Sequence, residues 1–135
     1  MENMTHKIIT NHITSNSTLD IINKHSKDAS SIVVAVAFFS HENLINEWLD
    51  AGKKVTLIVS LRPPTNYYSI KNILYKENLE VYFFGDEFHS KIFSFYDKRD
   101  AITGTIIGSS NFTHGGLTSN IETNVVIAEH ETLLE

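Results

Sequence analysis

The 135-residue sequence contains no cysteine and has few chain breakers, with two prolines and six glycines. Without cysteine it can form no disulfide, thiolate-bound zinc site or iron–sulfur cluster, and it has no cysteine nucleophile. No apolar run approaches the ~20 residues that cross a bilayer, and the N-terminus lacks the basic and apolar regions of a secretory signal. These absences favour a single domain over residues 1–135, located in the cytoplasm and without a membrane partner.

Positive charge is scarce in total but locally concentrated. The formal net charge is −5, yet residues 53–99 hold 8 lysines and arginines against 5 acidic residues, whereas residues 100–135 hold none against 5. Polyanions respond to the local field more than to the total charge. The middle of the chain therefore remains a candidate surface for a phosphate backbone, although solvated surface lysines are the ordinary explanation.

The spacing of apolar residues predicts a mixed α/β fold. Three helices are expected, over residues 17–28, 41–52 and 67–78, with Ser17 and Asp20 forming a capping box on the first and Ser40 capping the second. Strands are expected at residues 31–39, 54–60, 80–84, 89–97, 101–109 and 122–130. Alternating strands and helices in the first half imply right-handed parallel crossovers, and the second half is hairpin-like. The predicted fold is a mixed, mostly parallel sheet with helices on both faces.

Several polar residues lie within or next to the last three predicted strands. His89 and Lys91 are two residues apart, so one strand would direct both side chains to the same face. Ser109 and Asn111 follow the next strand with the same spacing, and Glu122 opens the last one. If these strands are neighbours, an imidazole, an ammonium, a hydroxyl, an amide and a carboxylate converge at one end of the sheet.

That set of groups suits chemistry at phosphorus. Lys91 offers a point cation, and Ser109 and Asn111 offer hydrogen-bond donors to phosphate oxygens. His89 can attack phosphorus as a neutral imidazole or protonate a leaving oxygen as an imidazolium, and Glu122 can hold one of its ring nitrogens. No pair of carboxylates flanks these residues, so the sequence offers no metal site of the two-metal type.

The motifs His-Ser-Lys at 89–91 and Gly-Ser-Ser-Asn-Phe-Thr at 108–113, followed by Glu122, resemble the signature of the phospholipase D superfamily. The resemblance extends from about residue 31 to residue 129. It is closest to metal-independent nucleases, including the catalytic domains of certain type II restriction endonucleases. This order of motifs on neighbouring strands is more specific than either motif alone.

The resemblance implies a role for each residue. His89 would form a phosphohistidine intermediate, Lys91, Ser109 and Asn111 would bind phosphate, and Glu122 would orient His89. The implied activity is DNA endonuclease cleavage without a cofactor. Because the mechanism needs two histidines and the predicted strands carry one such motif, at 89–91, two protomers would share one site in a homodimer. A DNA-recognition domain or subunit would be a further partner, and the chain could be the catalytic part of a longer protein.

One position departs from the superfamily pattern. The usual aspartate five residues after the lysine is replaced by Tyr96, and either Asp97 or Asp100 remains a candidate for its role. Two other functions stay open. One is the hydrolysis of a phospholipid or small phosphodiester, and the other is a non-catalytic domain that binds phosphate or nucleic acid.

The remaining histidines and aromatic residues show no site pattern. Surface or capping positions are expected for His6, His12, His25, His41 and His130, and a loop position for His114. Core positions are expected for Trp48, Phe38, Phe39, Phe83, Phe84, Phe93 and Phe95.

Overall fold

The computed structural model describes residues 4–14 and 16–129 of the chain. Within them, the order of elements is β1 (Met4–Thr10), α1 (Thr18–Asp28), β2 (Ser31–Val36), α2 (Glu42–Asp50), β3 (Lys54–Ser60), α3 (Tyr67–Ile73), β4 (Leu79–Phe84), β5 (Lys91–Tyr96), β6 (Ile102–Gly108), a π-helical turn (Gly115–Ser119) and β7 (Thr123–Glu129). None of the helices in these ranges is long and apolar enough to cross a bilayer.

The seven strands form one mixed sheet in the order β1-β7-β6-β5-β2-β3-β4. Only the β2–β3 and β3–β4 pairs are parallel, and the other four pairs are antiparallel. The prediction of a mixed sheet is confirmed, but the prediction that it is mostly parallel is wrong. The second half of the chain adds its strands as hairpins, and β1, which the sequence analysis did not predict, pairs with β7.

The helices begin and end for local reasons. Ser17 caps α1 in the predicted capping box, since its Oγ accepts from the Asp20 amide while Asp20 accepts from the Ser17 amide. The prediction that Ser40 caps α2 is wrong, because His41 occupies the N-cap position and makes no side-chain capping bond. Asn66 caps α3 by accepting from the amides of Tyr68 and Ser69.

The hydrophobic core lies on one face of the sheet. All strand residues of the core belong to this face: Ile9, Ile32, Val34, Val36, Val55, Leu57, Val59, Phe93, Phe95, Ile106 and Val126. The apolar side chains of all three α-helices join the same cluster: Ile21, Ile22, Leu44, Ile45, Trp48, Ile70 and Ile73. The helices therefore cover this face, and burial of these side chains supplies the main stabilisation of the fold.

The prediction of helices on both faces is wrong for the described residues. The β2–α2–β3 and β3–α3–β4 connections step in the same direction along the sheet, and right-handed crossovers in one direction place their helices on one side. The opposite face carries a row of paired, mostly apolar residues across all seven strands: Ile8, Val125, Ile107, Ile92, Ala35, Ile58 and Tyr82. Ile8 and Tyr82 at the two ends of this row are 60% and 51% exposed.

Candidate active site

Strand register places the ends of four strands side by side. Val36, the last residue of β2, pairs with Lys91, the first residue of β5. The β5–β6 register sets Gly108 opposite Lys91, and Gly108 pairs in turn with Asn124 near the start of β7. The residues singled out in the sequence consequently lie at one edge of the sheet: His89, Lys91, Ser109, Asn111 and Glu122.

His89 lies in the connection before β5, not within the strand, so the predicted strand start at residue 89 is wrong by two residues. Its imidazole is exposed, with Nε2 3.2 Å from Nη2 of Arg62 and the ring edge-on to Phe38 at 6.3 Å between centroids. The half-buried Lys91 turns back, and its Nζ donates to the His89 carbonyl oxygen at 2.9 Å. The ammonium group is thereby held beside the backbone of the histidine.

The Asn111 side chain is fixed through its oxygen. Oδ1 accepts a hydrogen bond from the backbone amide of Phe38 at 3.1 Å. This bond leaves the two Nδ2 hydrogens without a protein acceptor in the part of the chain that the structure describes. Because Phe38 also packs against His89, the free amide donor and the imidazole are neighbours of the same residue.

The side chains of Ser109 and Glu122 are hydrogen-bonded to each other. The Ser109 hydroxyl donates to Oε2 of Glu122 and accepts from the Thr123 amide at 3.0 Å. Oε1 of Glu122 accepts from Asn120 at 3.4 Å. Glu122 thus makes its side-chain hydrogen bonds to Ser109 and Asn120 rather than to His89 of the same protomer.

Two glycines allow the loop after β6 to pass close to its neighbours. A Cβ atom at Gly108 would clash with the backbone of Thr123 and with Asn124, and one at Gly116 would clash with the backbone of Asn111. The absence of a side chain is therefore a steric requirement at both positions. At Gly108 the close neighbour is β7.

A buried polar network holds this loop from beneath. Nδ2 of Asn124 donates to the hydroxyls of Thr18 and Ser110 at 2.9 Å each, and Ser110 donates to the Gly116 carbonyl oxygen at 2.7 Å. Asn11 accepts from both the amide and the hydroxyl of Thr18. Since these four side chains are at most 2% exposed, the network fixes the loop that carries Ser109 and Asn111.

The sequence analysis missed Arg62, Asn11 and Asn124 as site residues. Its core prediction for Phe38 is wrong, because Phe38 is half-buried and its ring packs against His89. Arg62 and Phe38 lie in the loops that follow β3 and β2, so nothing in their local sequence connects them to His89. Asn124 offers a weak signal, because it comes directly before the apolar run of residues 125–128, and an amide buried in a strand requires a partner.

Neither candidate for the missing aspartate is at this edge. Asp97 accepts from the amides of Arg99 and Ala101 through Oδ1, at 2.8 and 3.1 Å, and Asp100 adopts a positive φ of 60°. Both belong to the turn between β5 and β6, at the opposite end of these strands from Lys91. They stabilise that turn.

Two further histidines lie near the loop. His41 lies between β2 and α2, and His114 lies three residues after Asn111. Their ring centroids are 6.4 Å apart. Burial lowers the pKa of His41, with a smaller contribution from His114. His114 is exposed, but the prediction of a loop position is wrong, since it occupies the N-cap position of the π-helical turn. Its ring lies 3.3 Å from the Thr118 hydroxyl.

The prediction that His25 is a surface or capping residue is wrong. It is 4% exposed and stacks on Phe95 at 5.6 Å, and burial lowers its pKa from 6.5 to about 4. His6 and His12 are exposed as expected, whereas His130 lies outside the described residues.

The aromatic residues divide between the core and the surface. Trp48, Phe39, Phe93 and Phe95 are buried as predicted. The core prediction for Phe83 and Phe84 is wrong, because β4 is an edge strand and these side chains are 41% and 56% exposed. A partly apolar cavity of about 300 Å³ lies between α3 and β4, and its walls are formed by Leu61, Tyr67, Ile70, Lys71, Leu74, Tyr75 and Phe83.

The described residues contain no group of three or more histidine, aspartate or glutamate side chains arranged to hold a metal ion. The edge of the sheet instead presents one imidazole, two cationic side chains and an oriented amide. Such groups can bind and attack a phosphate ester through hydrogen bonds and charge.

Comparison with protein families gives a match to the model described as "Cardiolipin synthase, PLD-like domain" over residues 19–135. A comparison with curated proteins gives no match.

Solved structures share the fold at low sequence identity. NucT from Helicobacter pylori is 16% identical with a TM-score of 0.69, and the match covers 98% of this chain and 90% of NucT. Nuc from Salmonella typhimurium, a phospholipase D family member, is 17% identical with a TM-score of 0.68, covering 97% and 87%. Yeast tyrosyl-DNA phosphodiesterase is 10% identical with a TM-score of 0.60, covering 92% of this chain and 31% of the yeast chain.

Proposed function

Since this chain belongs to the family of phospholipase D-like domains, we propose that it is the catalytic domain of a metal-independent phosphodiesterase whose substrate is DNA. The observation that carries the proposal is the meeting of His89, Lys91, Ser109 and Asn111 at one edge of the sheet. His89 supplies a nucleophile, Lys91 a cation and Asn111 a free amide donor for one phosphate group, and Ser109 lies beside them with its hydroxyl hydrogen-bonded to Glu122.

In the proposed mechanism, Nε2 of His89 attacks phosphorus, an N–P bond forms and the bond to the leaving oxygen breaks. A second histidine, protonated at that stage, gives its proton to the leaving oxygen. Lys91 and the free Nδ2 of Asn111 bind the non-bridging oxygens and stabilise their charge. Water activated by the second histidine then cleaves the N–P bond and restores His89.

The second histidine is proposed to come from a second protomer, which makes the enzyme a homodimer with a shared site. Glu122 is bonded to Ser109 and not to His89 of its own protomer. Its proposed orienting role therefore belongs to the assembled site, where it can meet a histidine of the second protomer. Two His-x-Lys motifs related by a twofold axis then provide attack and protonation at one phosphate.

DNA is favoured as the substrate by the surface next to the site. Arg62 and Lys91 lie at the edge of the sheet, and the cavity beside β4 combines Lys71 with the exposed rings of Tyr67 and Tyr75. A cation for phosphate together with a ring for base stacking suits a nucleic acid strand. Restriction-type cleavage is a further proposal, and it would require a DNA-recognition domain or subunit. We also propose that the enzyme is located in the cytoplasm.

The alternative substrate is a phospholipid or small phosphodiester, which the description of the matching family model favours. Salt separates the two substrates. Binding to DNA releases counterions, so cleavage of DNA should weaken steeply with added salt, whereas cleavage of a small phosphodiester should weaken little.

The first experiment compares wild type with His89→Ala on plasmid and on single-stranded DNA in excess EDTA. We expect EDTA-resistant cleavage that His89→Ala abolishes. The matched control is His6→Ala, because His6 is exposed on β1 away from the site and should leave cleavage unchanged. Cleavage that EDTA abolishes would contradict the metal-independent mechanism. Binding without cleavage by wild type would favour the non-catalytic domain.

A further inference from the structure

We propose that Arg62 is a substrate-binding residue that covers the nucleophilic nitrogen of His89 in the resting protein and moves to a phosphate oxygen when substrate arrives. This inference deepens the proposed function and rests on it. Neither the superfamily motifs nor their spacing includes Arg62, which lies in the loop between β3 and α3.

The contact itself determines the state of the histidine. Nη2 of Arg62 lies 3.2 Å from Nε2 of His89. A guanidinium only donates hydrogen bonds, so Nε2 must accept through its lone pair and the ring proton must be on Nδ1. The same lone pair would attack phosphorus in the proposed mechanism. Arg62 therefore occupies the nucleophilic atom and selects the tautomer in which that atom can act as a nucleophile.

The loop that carries Arg62 is fastened to the end of β2. Thr65 is buried, and its hydroxyl accepts from the Phe39 amide at 3.2 Å. The Asn66 amide donates to the Phe39 carbonyl oxygen at 2.8 Å. Between these anchors and β3, the guanidinium lies 5.7 Å from the centroid of the Phe38 ring. Its position beside His89 is thus built by backbone and packing contacts.

Phe38 connects three groups of the site. Its ring packs against His89 and under Arg62, and its amide orients Asn111. A phosphate bound beside His89 would be close to both the Arg62 guanidinium and the Nδ2 group of Asn111. The charge-assisted fork of a guanidinium binds a phosphate more strongly than it binds a neutral imidazole. Substrate should therefore draw Arg62 away from Nε2 and leave the lone pair free to attack.

The test combines kinetics with chemical modification of His89. The chain has two arginines, and Arg99 lies in the turn at the far end of β5, so Arg99→Ala is the matched control for Arg62→Ala. We expect Arg62→Ala to lower kcat/KM roughly 100-fold, as loss of a transition-state donor does. Arg62→Lys should fall between Arg62→Ala and wild type, because it keeps the charge but not the fork. Arg99→Ala should behave as wild type.

Diethyl pyrocarbonate supplies the readout that a structural role would not move. This reagent acylates the free lone pair of an imidazole, and peptide mapping by mass spectrometry follows His89 alone. Without substrate, Arg62→Ala should expose Nε2 and raise the acylation rate of His89 several-fold, while Arg99→Ala leaves it unchanged. An unchanged acylation rate, or unchanged kcat/KM, in Arg62→Ala would overturn the proposal. If wild type cuts no DNA, the proposed function fails, and the acylation rate still decides whether Arg62 covers His89.

Discussion

Asn111 shows how a single side chain acquires a direction. Its oxygen accepts from the backbone amide of Phe38, so its nitrogen remains available to donate to a ligand. The sequence predicted that His89, Lys91, Ser109 and Asn111 would lie at one edge of the sheet, because they flank strands predicted to be neighbours. Strand alternation does not place their side chains, since only Lys91 belongs to a strand. The sequence could not predict the partner of each atom, since Phe38 and Arg62 reach the site through loops whose paths depend on tertiary contacts.

His25 shows the limit of sequence reasoning for an isolated histidine. No neighbour in the sequence marks it as buried, yet its ring lies against Phe95 and over Gly104. A Cβ atom at Gly104 would lie 2.7 Å from Nδ1 of His25, so the glycine is what admits the ring to the core. The burial of His25 depends on the pairing of Phe95 with Gly104 across β5 and β6. That pairing is set by the strand register, which the sequence around His25 does not contain.

The low pKa of His25 predicts a loss of stability in acid. Its pKa falls from 6.5 to about 4 on folding. Between these two pH values the imidazole is protonated in the unfolded chain and neutral in the folded protein. The free energy of unfolding should therefore decrease as the pH falls through this window, with no contribution at neutral pH. His25→Phe keeps an aromatic ring on Phe95 without the charge, and it should lose less stability than wild type between about pH 7 and about pH 5.

Chemical denaturation at the two pH values measures this difference. His6→Gln is the control, because His6 is exposed on β1 and its replacement leaves the core around His25 intact. Equal losses in wild type and His25→Phe would mean that His25 takes up its proton freely in the folded protein.

At the scale of elements, β3 and β4 show what a run of apolar residues does and does not determine. The predicted strand at 54–60 is confirmed to the residue, and β4 differs from its prediction by one. However, Val59 is buried and its partner Phe83 is not, because β4 is the last strand of the sheet. Strand order is decided by long-range pairing, so the exposure of Phe83 and Phe84 could not be inferred from the run itself.

The cavity between α3 and β4 predicts a difference between two adjacent tyrosines. Tyr67 lines the cavity, whereas Tyr68 does not and is 71% exposed. If a base stacks there, Tyr67→Ala should weaken binding of a single-stranded oligonucleotide roughly 5- to 100-fold. Tyr68→Ala, which removes the same ring one position away, should change affinity little.

Fluorescence anisotropy with the His89→Ala background measures this affinity without cleavage. Equal oligonucleotide affinities of Tyr67→Ala and Tyr68→Ala would mean that the cavity does not bind nucleic acid. If Tyr67→Ala lost more affinity for a short-chain phospholipid than for the oligonucleotide, the lipid substrate would be favoured instead.

At the scale of the whole molecule, the direction of the crossovers explains why one face is covered and the other is not. Handedness rules predict parallel neighbours for β2, β3 and β4, and the structure has them. The position of the helices on a single side follows from a strand order that the sequence does not display. The proposed homodimer is a further property at this scale, because one protomer carries a single His-x-Lys motif at the site. The other His-Ser-Lys sequence, at residues 25–27, lies in α1, where His25 is buried.

The shared site predicts how activity depends on subunit mixing. If each site needs a histidine from both protomers, a mixed dimer of wild type and His89→Ala is inactive. Co-refolded equal mixtures should then keep about 25% of the wild-type activity, since only dimers with two wild-type chains work. Independent sites would keep about 50%. Mixing with His6→Ala is the control and should keep full activity, and a linear decline with the mutant fraction would contradict the shared site.

The buried network of Asn11, Thr18, Ser110 and Asn124 also sets the order in which the site can arise. Its bonds join residues separated by up to 106 positions, and contacts so distant along the chain close late in folding. A chain that stopped before Asn124 would contain His89 and Lys91 but would lack the amide that supports the loop of Ser109 and Asn111. The candidate site therefore cannot form from its two motifs alone, because it depends on a residue that follows both of them in the chain.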